Sequence, residues 1–178
     1  SKSYVGYYYD SESDRGILFE SYNSCGNDVF AYDYDNDSWE EMSASPGNIS
    51  SGEDIAFFYD SENDRGIVIE TSSGGSAQKS VYAYDYNTDN WEQLSDRPGN
   101  LSCSNSYLGY YYDSESDRGI VFESYHSCGQ DVFSYDYDND QWEQMADGST
   151  GSGNNIAFFY DSDNDIGIIA EISHPDSD

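Results

Sequence analysis

The sequence predicts an all-β fold built from four repeated units. The segment YYYDSESDRGILFE at 7–20 recurs with few changes at 57–70, 110–123 and 158–171. The first Asp of each copy advances by 50, 53 and 48 residues, and a repeat of this length is typical of stacked or radially arranged units. Tyr, Phe, Val, Ile and Trp fill segments between turns rich in Asp, Asn, Ser and Gly, and no segment has a helical period.

Each unit is predicted to contain four short strands, A to D. In unit 1 these are YVGYYYD, then GILFES after an acidic turn, DVFAYDYD and SWEEM. The units span about 3–45, 54–97, 106–147 and 155–173, and the fourth has strands A and B only. Four antiparallel strands in about 50 residues are typical of a β-propeller blade. The expected fold for 1–178 is therefore a single propeller or propeller segment, with three complete four-stranded blades plus a terminal A–B hairpin.

A small residue recurs near the start of strand A, which predicts a crowded position where the innermost strands converge. It is Gly6, Ala56, Gly109 or Ala157. The units also alternate, since unit 1 is most similar to unit 3 and unit 2 to unit 4, which indicates that a two-unit segment was duplicated. Three arrangements of the four A–B hairpins stay open: they close a small ring, they are completed by other chains, or they belong to a longer array. An unpaired sheet edge in the fourth unit would favour pairing with a further strand.

The strands C and D resemble those of the kelch-repeat family. The resemblance lies in YDSESDRGILF, DVFAYDYDNDSWEEM, SVYAYDYNTDNWEQL and DVFSYDYDNDQWEQM, where a Tyr-Asp pair precedes a Trp by six residues, as in Tyr32-Asp33 and Trp39. It covers nearly the whole chain, but Glu20-Ser21 and its equivalents stand where kelch blades usually carry two glycines. The resemblance implies a propeller that most often serves as a binding scaffold and only rarely as an enzyme, so the fold alone does not decide the function.

The charge excludes several classes of partner. Asp and Glu number 36 against six Lys and Arg, for a net charge of −30. Nucleic acid and anionic membranes are therefore excluded as electrostatic partners, and no apolar run is long enough for membrane insertion. A chain this acidic suits a cation-rich or saline exterior, which favours an extracellular or cell-surface location.

The acidic A–B turns have two interpretations. Carboxylates at alternate positions of a tight loop are typical of Ca²⁺ ligands. The glycine at loop position 7 and the arginine just before it favour instead an ordinary turn, in which the first Asp caps backbone N–H groups and pairs with the arginine. The candidate Ca²⁺ ligands are Asp10, Glu12, Asp14, Asp60, Glu62, Asp64, Asp113, Glu115, Asp117, Asp161, Asp163 and Asp165.

Other polar residues give weaker signals. The repeated strand-B glutamates Glu20, Glu70, Glu123 and Glu171 suit either a ring of carboxylates or, as we expect, solvated strand ends. The strand C–D acids are expected in a surface turn. The two histidines, His126 and His174, do not repeat and have no nucleophile context, so no catalytic residue and no enzymatic activity are predicted.

Three cysteines and three glycosylation sequons favour an exported chain. Cys103, before strand A of unit 3, and Cys128, in its B–C loop, are predicted to form a disulfide. Cys25 matches Cys128, but the counterpart of Cys103 falls one place before Ser1. Cys25 therefore has a partner upstream in a longer chain, bonds to another molecule, or is a free thiol. The sequons begin at Asn36, Asn48 and Asn100.

The expected function is that of a non-catalytic extracellular β-propeller that serves as a structural or recognition scaffold. We expect its partners to be copies of itself or a larger assembly. Two alternatives stay open: a carbohydrate-binding propeller lectin with sites between blades, and a fragment of a secreted kelch-type enzyme. No cofactor is predicted apart from Ca²⁺ in the A–B turns.

Overall fold

The chain forms strands and turns throughout the residues that the computed structural model describes, which are 5–20, 27–46, 55–70, 79–101, 107–124, 131–147 and 156–171. The strands are β1 (Val5–Asp10), β2 (Arg15–Glu20), β3 (Val29–Asp33), β4 (Ser38–Met42), β5 (Ile55–Asp60), β6 (Arg65–Glu70), β7 (Val81–Asp85), β8 (Asn90–Leu94), β9 (Tyr107–Asp113), β10 (Arg118–Ser124), β11 (Val132–Asp136), β12 (Gln141–Gln144), β13 (Ile156–Asp161) and β14 (Ile166–Glu171).

Three antiparallel sheets have the predicted order A–B–C–D, and the fourth is an A–B hairpin. They are β1-β2-β3-β4, β5-β6-β7-β8, β9-β10-β11-β12 and β13-β14. The prediction of an all-β chain of four-stranded antiparallel units with a terminal hairpin is confirmed. No helix of the described residues is long and apolar enough to cross a membrane.

The A–B turn is closed by the backbone pair Asp10 and Arg15 in unit 1, and the equivalent positions pair in the other units, with Ile166 in place of the arginine in unit 4. The last residue of the turn has a left-handed backbone, with φ of 55° at Asp14. Asp tolerates this conformation better than most residues with a side chain. The glycine that follows lies in strand B, outside the turn.

The core lies between successive units. One cluster joins Tyr8 and Phe19 of unit 1 to Phe57 and Tyr84 of unit 2. A second cluster joins unit 2 to unit 3 in the same way. Strand A of each unit lies beside strand A of the next, from β1 to β5, β9 and β13. Each sheet is thus buried mainly against its neighbours, so the units depend on one another for their apolar cover.

The small residue of strand A has a local cause. Gly6 pairs with Phe19 across the A–B hairpin, and a Cβ at Gly6 would lie 2.1 Å from Cζ of Phe19. Gly109 likewise pairs with Phe122, whereas Ala56 pairs with the smaller Ile69. The ring on the adjacent strand of the same unit therefore gives a local reason why unit 1 requires glycine here.

Candidate functional site

Hydrogen bonds within the A–B turns occupy their first acidic side chains. Oδ1 of Asp10 accepts from the backbone N–H groups of Glu12 and Ser13, at 3.0 Å each. The first Asp of every other unit makes the same two bonds. This is the cap expected for an ordinary turn, because a short side chain satisfies backbone donors that the turn leaves open.

The last turn Asp accepts from a tyrosine hydroxyl, and the middle acid is exposed. Tyr112 donates to Oδ1 of Asp117 at 2.7 Å, and the equivalent Tyr and Asp make this bond in the other three units. Within the described part of the chain, no three acidic, histidine or cysteine side chains lie close enough together to hold a metal ion. Ca²⁺ binding by these turns stays a prediction.

The turn arginines pair with strand C and not with the turn carboxylates. Arg15 Nη2 lies 2.8 Å from Oδ2 of Asp33, and Arg65 and Arg118 make the same pair with Asp85 and Asp136. The prediction that these arginines pair with the carboxylate of the first turn Asp is therefore wrong. The arginines do donate to the backbone carbonyl of the last turn Asp. Ile166 takes the arginine's place in unit 4.

One aromatic ring of each unit covers a glycine of the next. A Cβ placed on Gly119 would lie 1.9 Å from Cζ of Phe58, and a Cβ on Gly66 would lie 2.3 Å from Cζ of Tyr8. Gly167 has the same relation to Tyr111, at 2.9 Å from Cε1. These glycines recur in all four units. They were not identified from the sequence as contact positions, because a glycine after a run of acidic residues suggests a turn. They provide space for a ring.

Polar contacts reinforce the junctions near the A–B turns and, between units 1 and 2 and units 2 and 3, also near strand D. Near the A–B turns, Tyr160 donates to Oδ1 of Asp113 in the preceding unit at 2.9 Å. Near strand D, the backbone N–H of Ser95 of unit 2 donates to the carboxylate of Asp140 of unit 3, at 3.1 Å from Oδ1 and 3.0 Å from Oδ2. Burial raises the pKa of Asp140. Hydrogen bonds from Ser95 and Tyr135 lower this pKa by more than burial raises it, so the pKa of Asp140 lies below its ordinary value. Asp140 is therefore stabilised as a carboxylate by the adjoining unit.

Two of the strand-B glutamates are buried, which corrects the expectation of solvated strand ends. Glu70 is 1% exposed and Glu123 is 0% exposed. Arg97 is buried beside them, donates from Nε to the carbonyl of Glu70 at 2.5 Å, and interacts electrostatically with both carboxylates. Its burial lowers its pKa more than the two negative charges raise it. A buried charge cluster therefore lies at the junction of units 2 and 3. The corresponding loop position in unit 1 is the buried Ser45.

The face of unit 1 that corresponds to the faces of units 2 to 4 in contact with a preceding unit is exposed. Tyr9 is 58% exposed and Trp39 is 61% exposed, whereas their equivalents in units 2 and 3 are half-buried. A largely apolar groove of about 500 Å³ runs along this face. Its lining residues are Tyr7, Tyr8, Tyr9, Gly16, Ile17, Leu18, Tyr32 and Trp39. We call this surface the unit-1 groove.

A second concave surface lies where the first strands of units 1, 2 and 3 meet. This aromatic cleft has a volume of about 440 Å³ and includes Tyr7, Phe57 and Tyr110. The rings of Phe57 and Tyr110 lie 4.7 Å apart at a tilt of 52°. Such a surface suits stacking against a flat apolar ligand face.

Several predicted residues lie outside the described residues. These are Cys25, Cys103, Cys128, Asn48, His126 and His174, so the Cys103–Cys128 disulfide stays a prediction. Of the other sequons, Asn36 and Asn100 are exposed. The Asn36 amide donates to Oδ2 of Asp33 at 2.8 Å.

Comparison of the chain with protein-family models and with curated proteins found no match to either.

Proposed function

We propose that this chain is a non-catalytic extracellular scaffold that assembles with copies of itself. The carrying observation is a side-to-side contact that occurs at three successive junctions, together with an exposed face of the same composition on unit 1. A surface that is apolar and aromatic in every unit is suited to burial by a neighbour, and its exposure on unit 1 favours an interaction site.

We further propose that the units are kelch-type blades arranged as a propeller or propeller segment. Two features support this: the A–B–C–D strand order, and first strands that lie side by side in successive units. The Tyr and Trp that carry the resemblance pack together, with the rings of Tyr84 and Trp91 4.7 Å apart. An extracellular location is supported by the net charge of −30 and by exposed sequon asparagines.

The mass of the native particle tests self-assembly. We expect light scattering after size exclusion to give masses above the chain mass of 20.0 kDa that rise with protein concentration, with and without reductant. A mass that falls to one chain only with reductant would assign the assembly to cysteines. A mass of 20.0 kDa at every concentration would contradict self-assembly.

A carbohydrate-binding function is the second candidate, because the aromatic cleft offers exposed tyrosine rings to a sugar face. Glycan-array binding tests it. We expect Tyr7→Ala to abolish a glycan signal that Tyr34→Ala retains, because Tyr7 lies in the cleft and Tyr34 lies exposed outside it. An array without signal, or equal loss in both variants, would contradict this function.

A further inference from the structure

We propose that the unit-1 groove binds the A–B hairpin of unit 4 from a second copy of this chain, head to tail, with the ring of Phe159 seated over Gly16. This inference rests on the proposed self-assembly and names the surfaces that carry it. Contacts of this heterologous kind generate rings or filaments, according to whether the rotation closes.

The template for this contact is the junction between units 2 and 3. There the ring of Phe58 is 5% exposed and lies over Gly119. The same ring stacks on Tyr112 of unit 3, with centroids 6.4 Å apart and planes 13° from parallel. Tyr112 also forms a hydrogen bond with Asp60 of unit 2 that lowers the pKa of Asp60, although burial raises that pKa more.

The proposed junction contains the aromatic, glycine and aspartate residues of the template. Unit 4 is most similar to unit 2, and unit 1 is most similar to unit 3. Phe159 therefore corresponds to Phe58, and Gly16 to Gly119. The hydrogen-bonding pair is also preserved, since Tyr9 corresponds to Tyr112 and Asp161 to Asp60. One polar contact of the template is not preserved: Arg65 of unit 2 forms a hydrogen bond with Tyr137 of unit 3, whereas Ile166 takes the place of that arginine in unit 4.

Both halves of the proposed junction are exposed in the single chain. Phe159 is 54% exposed, in contrast to the buried Phe58. At Gly16, the Cβ of Tyr32 is the one atom of the described residues within 4 Å of an added Cβ, at 3.8 Å, so no ring covers this glycine. The chain's own unit 4 thus does not fill the unit-1 groove, which favours a second copy as the occupant.

The contact is expected to be weaker than an internal junction. The junctions between units 1 and 2 and between units 2 and 3 also have a strand-D contact, in which Asp89 or Asp140 accepts from a Ser N–H of the preceding unit. The described residues of unit 4 include no strand D to donate to the equivalent Asp37 of the partner. Association should therefore depend on protein concentration.

Two variants, each blocked on one surface, test the pairing. Gly16→Leu fills the unit-1 groove, and Phe159→Ser removes the seated ring. We expect each variant alone to have the mass of one chain at concentrations where the wild type is larger. Mixed in equal amounts, they should form a heterodimer of twice the 20.0 kDa chain mass, since each retains the surface that the other lacks.

Controls separate loss of contact from loss of fold. In the single chain, no described ring covers Gly16 and Phe159 is exposed, so urea unfolding of each variant in dilute protein, where the wild type is dissociated, should match the wild type. Phe159→Tyr should retain assembly, because Tyr8 and Tyr111 occupy this position in units 1 and 3. Glu143→Gln, at an exposed strand-D position of unit 3 that belongs to neither proposed surface, should also leave the mass unchanged.

Other outcomes would overturn the inference in distinguishable ways. If the wild type assembles but neither Gly16→Leu nor Phe159→Ser reduces its mass, another surface carries the assembly and the scaffold function stands. If Gly16→Leu is monomeric while Phe159→Ser still assembles, two unit-1 grooves face each other. If the wild type is monomeric at every concentration, both this inference and self-assembly fail.

Discussion

Units 1 and 3 present nearly the same residues to different surroundings. Gly119 of unit 3 lies under the ring of Phe58, whereas the equivalent Gly16 lies under no ring of the described residues. Trp142 is half-buried and Trp39 is 61% exposed. The difference shows that the preceding unit, and not the unit's own sequence, determines whether these side chains are covered. Each unit carries an interface whether or not a neighbour occupies it.

The largest effect is expected from removing the buried charge cluster, which the junction of units 2 and 3 contains and for which unit 1 has Ser45 in place of Arg97. Arg97→Ala leaves Glu70 and Glu123 buried without their common cation, so we expect a loss of about 3–5 kcal/mol in the free energy of unfolding. Ser45→Ala at the corresponding position of unit 1 is the matched control. Its hydroxyl is buried without a hydrogen-bond partner among the described residues, and its removal should have little effect. Urea unfolding measures both, and equal losses would contradict this role for Arg97.

Adding one methyl group to Gly119 or to Gly16 compares a glycine covered by a ring with its uncovered equivalent. Gly119→Ala forces a Cβ against the buried Phe58 ring, and overpacking of this kind costs about 1–3 kcal/mol. Gly16→Ala adds the same methyl in open space, where reduced freedom of the unfolded chain favours a small gain in stability. Thermal and urea unfolding of dilute protein should separate the two variants. If they lose the same stability, the ring-over-glycine contact does not distinguish the two faces.

The strand-D contact gives a pH-dependent version of the comparison. The lowered pKa of Asp140 stabilises the fold at pH 7. That contribution is lost as the pH falls from the ordinary Asp value of 3.8 through the lower folded value. Asp140→Asn should therefore cost about 1–3 kcal/mol at pH 7, as expected for a charged hydrogen-bonding group, and less at pH 3.

Asp37→Asn is the control for this variant. Asp37 has the same left-handed turn position in unit 1 and accepts from Tyr32, but no donor of a preceding unit reaches it among the described residues. Its loss should be smaller than that of Asp140→Asn at pH 7. Urea unfolding at both pH values measures the two effects, and a pH-independent loss at Asp140 would argue against the carboxylate contact.

Salt should affect the whole chain without distinguishing the units. With a net charge of −30, self-repulsion should lower stability in dilute buffer, and screening should restore it in molar salt. Unfolding midpoints at several concentrations of sodium chloride measure this. A midpoint independent of salt would indicate that bound ions already neutralise the charge.

The smallest effect is expected from calcium. The first and last acids of each A–B turn already accept hydrogen bonds within the turn, so we expect chelation, followed by millimolar Ca²⁺, to leave the melting temperature unchanged. A rise with Ca²⁺ would show that the folded state binds the ion, since a ligand of the folded state stabilises it by mass action. Asp10→Asn would then reduce that rise.

The sequence predicted the strands well because the information is local. Aromatic and β-branched runs separated by Asp- and Ser-rich turns determined the order of strands, and strand D of unit 1 has the predicted bounds of 38–42. The contents of the junctions were not predictable, because they depend on residues brought together from different units. Gly66 suggests a turn until the ring of Tyr8 is placed over it, and Glu70 suggests a solvated strand end until Arg97 is placed beside it.

The match between a unit-4 hairpin and a unit-1 face also concerns how such chains change length. Because a Phe from an even-numbered unit fits the glycine of an odd-numbered unit, joining one two-unit segment to another in the same gene creates a junction that already exists between units 2 and 3. Tandem duplication can therefore lengthen the array without new compensating substitutions. Deletion of two units would likewise create no new kind of junction, but it would remove apolar cover, so gain of units is the better tolerated change in copy number.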